Sequence, residues 1–393
     1  MKNKVTIPTA FQIRIDDVAW HKGDDERHIN RPSRTGIPRM HSALDYPIIN
    51  ELGKAINMKI SCAIVLGEWD KDNVLRGEKN VTWDPENWDR ASQINMDYAE
   101  KAFDLLENSE YISYTLHGVM HGYYHNGKIV TERQFYPYEF DEKTGTYNKQ
   151  HTWMSDDELR HHLDLFFKIY NSWGFKKPVK AFACGNGNYG TPTDAGNIRY
   201  AGIFKEYGLN VWENGWPTIE KGAAVIDGVP CIKAGGEENL PWNAFDVDPD
   251  YLNLFYKEGD EFCRAGYCMH WPNLLRWHPE KNMENLSKWV SYFMKQSEEF
   301  GCMISRDVDF AGSQAAYMLY AKMDFAENKC IIDLTDVDKQ NVVVLKDEFY
   351  VSIKNDLVPK SCIGGTINEY ESKKEFRTYK IVRNNSTKIE IIF

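Results

Sequence analysis

Two histidines four residues apart, His117 and His121 in the segment LHGVMH, form the pattern in this chain most suited to binding a metal ion. One helical turn would place both imidazoles on the same face, where their nitrogens approach a metal ion to about 2.0–2.1 Å. Glycines flank the pair and let the chain pass close to a site. In HExxH hydrolases the residue after the first histidine is a glutamate that acts as general base; here it is glycine, so a base must come from elsewhere. The alternative is two polar residues on a loop.

Asp16 and Asp17 end the apolar segment FQIRIDDV, whose alternation of apolar and polar residues predicts a strand. Adjacent carboxylates repel each other unless a cation or a shared proton relieves the repulsion. One of them could bind a metal ion while the other accepts a proton. For either acid alone, a turn or a helix N-cap is the competing interpretation.

His270 ends another apolar segment, AGYCMH. An imidazole ordinarily titrates near neutral pH, so a histidine at a strand end could act as a general acid. A buried histidine satisfied by one hydrogen bond is the alternative.

Strands and helices alternate up to about residue 325, which predicts a parallel α/β sheet or barrel. The polar residues named above follow predicted strands, and in barrels this is the edge where active sites collect. Residues 329–393 lack helical periodicity and contain short β-rich runs, so we expect a small all-β module after a main domain over 1–328. Three long insertions, 21–43, 67–88 and 124–154, are expected to shape a substrate cleft.

The composition narrows the range of partners. The net charge is −11 and Lys and Arg form no cluster, which argues against nucleic acid and anionic membranes as partners. The content of 12 Trp and 22 Tyr slightly favours a carbohydrate ligand, because flat aromatic faces stack on sugar rings. Eight scattered cysteines without a CxxC pair indicate reduced thiols. With no signal-peptide pattern and no apolar run of about 18 residues, the chain is expected to be cytoplasmic. The oligomeric state stays open.

The order of an acid pair, an HxxxH pair and a late strand-terminal histidine resembles the polysaccharide deacetylase family, which is related to the chitooligosaccharide deacetylases. The resemblance implies a distorted (β/α) barrel. It implies Asp16 as the catalytic base, and Asp17, His117 and His121 as ligands of one divalent metal ion, for which zinc is the expected choice. It also implies His270 as general acid, with the apolar residue two positions earlier matched loosely by Cys268.

Two motifs of the family fit less well. The third carries an arginine that orients the catalytic base, but the matching segment FACGNGNYG has Ala183 and Cys184 in that place. This difference predicts that Asp16 lacks its usual arginine partner. The fourth motif supplies an aspartate and a tryptophan, for which VWENGW offers Glu213 and Trp216.

The resemblance implies a metal-dependent hydrolase that removes an N- or O-acetyl group from a carbohydrate or a related acylated small molecule. One alternative is a deformylase or another amide hydrolase on the same scaffold. A second, from a different class, is an inactive relative that binds carbohydrate, because the missing arginine could reflect lost turnover.

Overall fold

The structure is a computed structural model that describes residues 4–18, 37, 39–213, 216, 219, 222–235, 240, 244–253, 265–300 and 302–393. The helices among these residues are α1 (Pro47–Ile56), α2 (Met96–Asn108), α3 (Asp156–Trp173), α4 (Ala195–Glu206), α5 (Leu286–Phe300), α6 (Val308–Tyr320) and α7 (Thr335–Lys339). Helix α3 has the ends that its sequence predicts. Ser155 accepts a hydrogen bond from the backbone N–H of Glu158, and Gly174 ends the helix with a φ of 78°.

The strands up to residue 304 are β1 (Val5–Thr6), β2 (Ala10–Val18), β3 (Ile60–Val65), β4 (Ile112–Gly118), β5 (Tyr123–His125), β6 (Lys128–Thr131), β7 (Tyr138–Asp141), β8 (Thr146–His151), β9 (Val179–Phe182), β10 (Val211–Trp212), β11 (Ala223–Ile226), β12 (Val229–Ile232), β13 (Ala234–Gly235), β14 (Gly266–His270) and β15 (Met303–Ile304). The later strands are β16 (Lys322–Ala326), β17 (Lys329–Asp333), β18 (Glu348–Lys354), β19 (Ser361–Ile363), β20 (Gly365–Ser372), β21 (Phe376–Arg383) and β22 (Lys388–Ile392).

One large sheet forms the centre of the molecule, with the strand order β11-β12-β10-β9-β4-β3-β2-β14-β13, and β15 also pairs with β2. Every pairing is parallel except that of β11 with β12. All residues of β2 and β3 are buried, as expected for strands covered on both faces. The α/β prediction is therefore confirmed.

Parallel pairing brings the carboxyl ends of β2, β4 and β14 to one edge of this sheet. In the register of β14 with β2, His270 lies directly beside Asp16. The sheet is compatible with a distorted barrel, although among the described residues no pairing joins its two end strands, β11 and β13. The deacetylase type of barrel stays a prediction.

Two four-stranded antiparallel sheets follow the main sheet, which confirms the predicted C-terminal β-sheets, with the short helix α7 between β17 and β18. Their orders are β1-β18-β21-β20 and β16-β17-β22-β19, so the N-terminal strand β1 belongs to one of them. Strands β16 and β17 pair with each other on either side of residue 328. The division of the chain at 328/329 stays a prediction.

The insertion 124–154 contains the antiparallel hairpin β7–β8, with the sequence EKTG between its two strands. Of the insertion 21–43, residues 21–36 and 38 lie outside the described part of the chain.

The seven described cysteines are free thiols, and all but Cys362 are buried. No helix within the described ranges is long and apolar enough to cross a membrane.

Candidate metal centre

The structure brings the three predicted ligands together at the carboxyl edge of the main sheet. Asp17 lies near the end of β2, His117 near the end of β4, and His121 in the turn that follows. Asp17 Oδ1 is 3.6 Å from His117 Nε2 and 3.7 Å from His121 Nε2. Ligand atoms on a tetrahedral zinc ion lie roughly 3.3 Å apart, given zinc–ligand distances of about 2.0–2.1 Å. The observed spacing is thus close to that of ligands around a bound metal ion.

Two of these residues have an unusual backbone conformation. Asp17 has a φ of 64° and His121 a φ of 61°, in the left-handed region that residues with a Cβ rarely adopt. Such conformations cost about 1–3 kcal/mol each and concentrate at functional sites. Two of the three ligands selected from the sequence therefore lie on backbone of this kind, as do nine other non-glycine residues within the described ranges.

The helical interpretation of the HxxxH pair is wrong. His117 belongs to strand β4, and Gly118, with a φ of 129°, turns the chain abruptly after it. His121 then returns its imidazole towards His117, and the two ring centroids are 4.9 Å apart. A spacing of four residues fits this turn as well as a helical turn, so the sequence pattern alone does not separate them.

His117 is oriented by its second nitrogen. Its Nδ1 lies 2.8 Å from the carbonyl oxygen of Ala183, and because a carbonyl only accepts, Nδ1 carries the proton. The lone pair is then on Nε2, which faces Asp17. Burial also lowers the pKa of His117 below its ordinary value. Both effects favour the neutral imidazole that a metal ion requires.

Gly185, in the segment FACGNGNYG, packs directly against His121. A Cβ at this position would lie 2.6 Å from His121 Nε2. This segment differs from the family pattern, and its glycine leaves room for the imidazole. Sequence reasoning missed this role because the contact joins distant segments.

Asp16 does have an arginine partner. The prediction that it lacks one is therefore wrong. Arg14 Nε donates to Asp16 Oδ1 at 2.7 Å, and Arg14 Nη2 donates to Oδ2 at 2.8 Å. The guanidinium comes from the same strand, two residues earlier, instead of from the segment around Ala183. Residues i and i+2 of a strand share a face, so the RID sequence already contained this signal.

Both members of this ion pair are buried, with side-chain exposures of 4% and 5%. Burial alone would raise the pKa of Asp16. The positive charge of Arg14 is the largest of several effects that together outweigh burial and hold that pKa well below its usual range. Asp16 is therefore a carboxylate at neutral pH.

Glu213 lies beneath this pair. Its backbone carbonyl accepts from Arg14 Nη1, and its carboxylate accepts from Thr115 Oγ1. Burial raises the pKa of Glu213 to about 7. The structure thus places Glu213 beside Arg14, while Trp216 donates from Nε1 to the carbonyl of Tyr189 at 3.0 Å.

His270 ends strand β14 next to Asp16 in the sheet register, and its backbone N–H donates to Asn273 Oδ1 at 2.8 Å. The residue is partly exposed at the edge of the sheet. The five residues selected from the sequence, Asp16, Asp17, His117, His121 and His270, therefore lie on one edge.

A nitrogen–nitrogen–oxygen donor set suits zinc and related divalent transition metals. The neutral form of His117 and the left-handed backbone that carries His121 are compatible with such an ion. Thiolate ligands are absent from this cluster, the only potential metal-binding group of His, Cys, Asp and Glu side chains within the described ranges.

No protein-family model and no curated protein sequence matches the chain. Among solved structures, a mutant of a CE4 family pseudoenzyme is 14% identical, with a TM-score of 0.35, over 76% of this chain and 68% of that chain. A family 4 carbohydrate esterase from Streptomyces lividans, in complex with acetate, is 9% identical, with a TM-score of 0.27, over 73% and 89% of the two chains. A GH57-type branching enzyme from the archaeon Pyrococcus horikoshii is 9% identical, with a TM-score of 0.37, over 76% and 69%. At TM-scores this low, these similarities carry no argument about the function of the chain.

Proposed function

We propose that this chain is a metal-dependent hydrolase that removes an N- or O-acetyl group from a carbohydrate or a related acylated small molecule. The observation that carries the proposal is the adjacency of two different acids. Asp17 belongs to a cluster with two histidines, while Asp16 is held as a carboxylate by a buried bidentate arginine. Deacylation by water needs this combination of a metal site and a separate proton acceptor.

Asp17, His117 and His121 would hold the ion. A bound divalent metal would supply polarisation of the substrate carbonyl and a lowered pKa of water. Asp16 takes the proton of the attacking water, and Arg14 fixes the direction of its carboxylate. The lowered pKa of Asp16 keeps the carboxylate ionised at neutral pH, the protonation state that a proton acceptor needs.

His270 provides the second proton transfer. It lies next to Asp16 on the neighbouring strand. As a general acid it protonates the leaving amine or alcohol as the bond to the acyl carbon breaks. The products are a carboxylate such as acetate and the free amine or hydroxyl of the substrate, so water accounts for the added atoms.

A carbohydrate substrate is supported by aromatic side chains next to the FACGNGNYG segment. The ring of Tyr189 lies 4.8 Å from that of Trp153 and 5.8 Å from that of His151, and all three are partly exposed. Such faces stack on the apolar faces of sugar rings. The hairpin β7–β8, within the insertion 124–154, contributes His151 to this group.

The inactive, carbohydrate-binding alternative rested on the absent arginine, and Arg14 removes that reason. The deformylase alternative keeps the same groups and changes only the acyl substituent. A parallel assay of formylated and acetylated forms of one amino sugar separates it from deacetylation.

The test begins with metal content per chain, by elemental analysis of protein purified without added metal or chelator. We expect near-stoichiometric divalent metal in the wild type and loss in the His117→Ala/His121→Ala double variant. The loaded protein is then assayed for acetate release from N- and O-acetylated sugars. A wild-type protein that takes up no metal, even after reconstitution, would overturn the proposed mechanism.

A further inference from the structure

The turn that carries His121 is held by contacts outside the metal centre. Residues 118–121 leave strand β4 through Gly118, at a φ of 129°, and reach His121 in the left-handed region. A conformation of this cost persists only where its surroundings determine it. One tether is the backbone N–H of Gly67, which donates to the carbonyl of Val119 at 2.6 Å.

The second tether is the side chain of Gln134, which is 1% exposed. Gln134 Oε1 accepts from the backbone N–H of Val119 at 2.8 Å and from that of Met120 at 3.2 Å. A Cβ at position 118 would lie 2.6 Å from this same oxygen. The glycine that starts the turn therefore also makes room for the glutamine that holds it.

His162, on helix α3, fixes the orientation of Gln134. With Oε1 facing two N–H groups, Gln134 Nε2 must point away from them, and it lies 3.0 Å from His162 Nδ1. Burial lowers the pKa of His162 to about 3, so the ring is neutral and Nδ1 can accept. Helix α3 thereby holds the turn of residues 118–121 in place through Gln134.

The environment of the second ring nitrogen of His162 indicates that this histidine has a role beyond packing. Nε2 is buried and has no hydrogen-bond partner among the described residues. Leaving such a group unsatisfied costs about 1–3 kcal/mol. An apolar residue would fill this space without that cost, but it would leave Gln134 Nε2 without its acceptor.

We propose that Gln134, oriented by His162, is a positioning residue of the metal centre, which acts by holding His121 in its left-handed conformation. The inference rests on the proposed function only in its use of the metal site. Partners that orient metal ligands typically change metal affinity by about 10–100-fold when they are removed.

The test is the affinity of the metal-free protein for Zn²⁺, measured by competition with a chromophoric chelator. We expect Gln134→Met to weaken binding by about 10–100-fold. In a His121→Ala background, Gln134→Met should cause no further loss, because its effect passes through His121. His162→Phe, which keeps the volume but removes the acceptor, should give a smaller loss in the same direction.

Gln314 offers a matched control. It is a fully buried glutamine that also bonds to backbone groups, accepting from the N–H of Tyr350 at 3.0 Å and donating to the carbonyl of Pro8 at 2.8 Å. Gln314→Met removes a comparable set of hydrogen bonds away from the site. We expect it to lower the melting temperature but to leave Zn²⁺ affinity within about twofold of the wild type.

Three results would overturn the inference. The first is wild-type Zn²⁺ affinity in both Gln134→Met and His162→Phe. The second is a loss of affinity from Gln134→Met that is as large in the His121→Ala background as in the wild type. The third is a loss of affinity in Gln314→Met as large as that in Gln134→Met. A wild type that binds no Zn²⁺ overturns it together with the proposed function. If the affinities change as expected but no acylated substrate is cleaved, the proposed function fails and the role of Gln134 stands.

Discussion

Asp16 and Asp17 are neighbours in the chain with different surroundings, and this difference separates catalysis from metal binding. Asp16→Asn keeps one acceptor for Arg14 and replaces none of the three ligands. We expect it to retain bound metal while kcat falls by about 10²–10⁴-fold, the range for loss of a general base. Elemental analysis and turnover are measured on the same preparation.

Asp17→Asn is the matched comparison, since it makes the same chemical change one residue later. It weakens a ligand and should lose the metal and the activity together. The division of roles would be wrong if Asp16→Asn lost the metal, or if both variants kept full activity.

Glu213 makes a separate prediction at the residue scale, about pH. Burial raises its pKa from 4.5 to about 7, so between these values the folded chain holds a proton that the unfolded chain has released. Its contribution to stability is therefore complete below about pH 4.5 and is lost as the pH rises towards 7. Over this interval the loss is at most about 3 kcal/mol.

Glu213→Gln should remove this dependence, because its amide does not titrate. The unfolding free energy of the variant, from urea denaturation at several pH values, is expected to fall less than that of the wild type between pH 5 and 7. Parallel curves for the two proteins would contradict an elevated pKa for Glu213.

At the scale of elements, the loop after β9 supplies the space that His121 occupies. In Gly185→Ala the new Cβ would meet His121 Nε2 at 2.6 Å, so the imidazole must move. We expect weaker Zn²⁺ binding, by about 10-fold or more, with little change in overall stability. The chelator competition assay measures this.

Gly202→Ala is the control for this substitution. Gly202 lies in helix α4, and a Cβ added there would meet nothing within 4 Å. Alanine should therefore stabilise the helix by up to about 1 kcal/mol and leave Zn²⁺ affinity unchanged. Equal affinities in the two variants would argue against a packing role for Gly185.

These elements also show what the sequence could and could not predict. Apolar alternation identifies β2, β4 and β14, and the shared edge of parallel strands brings Asp17, His117 and His270 together. The pairing of Arg14 with Asp16 also follows from strand periodicity, because residues two apart share a face, whereas the family pattern predicts the arginine in a different segment. The role of Gln134 was not available, because its bonds to the 118–121 turn depend on how the loop after β6 packs, which no local pattern encodes.

At the scale of the whole molecule, the chain crosses between the main sheet and the C-terminal sheets more than once. Strand β1 pairs with β18, a link between the two ends of the chain that composition could not predict. Lys373, 7% exposed, donates from Nζ to Ser297 Oγ and to the carbonyl of Cys302, both at 2.6 Å. These contacts join the turn before β21 to the end of helix α5 and its following segment.

Such links predict that both parts of the chain unfold in one transition. All 12 tryptophans precede residue 290, so tryptophan fluorescence reports the chain before the C-terminal strands, whereas far-ultraviolet circular dichroism also includes those strands. We expect the two urea curves to coincide. Lys373→Met, which removes two buried hydrogen bonds, should lower the unfolding free energy by about 1–3 kcal/mol and shift both curves together. Two separate transitions in the wild type would show instead that the C-terminal sheets fold independently of the sheet that carries the metal centre.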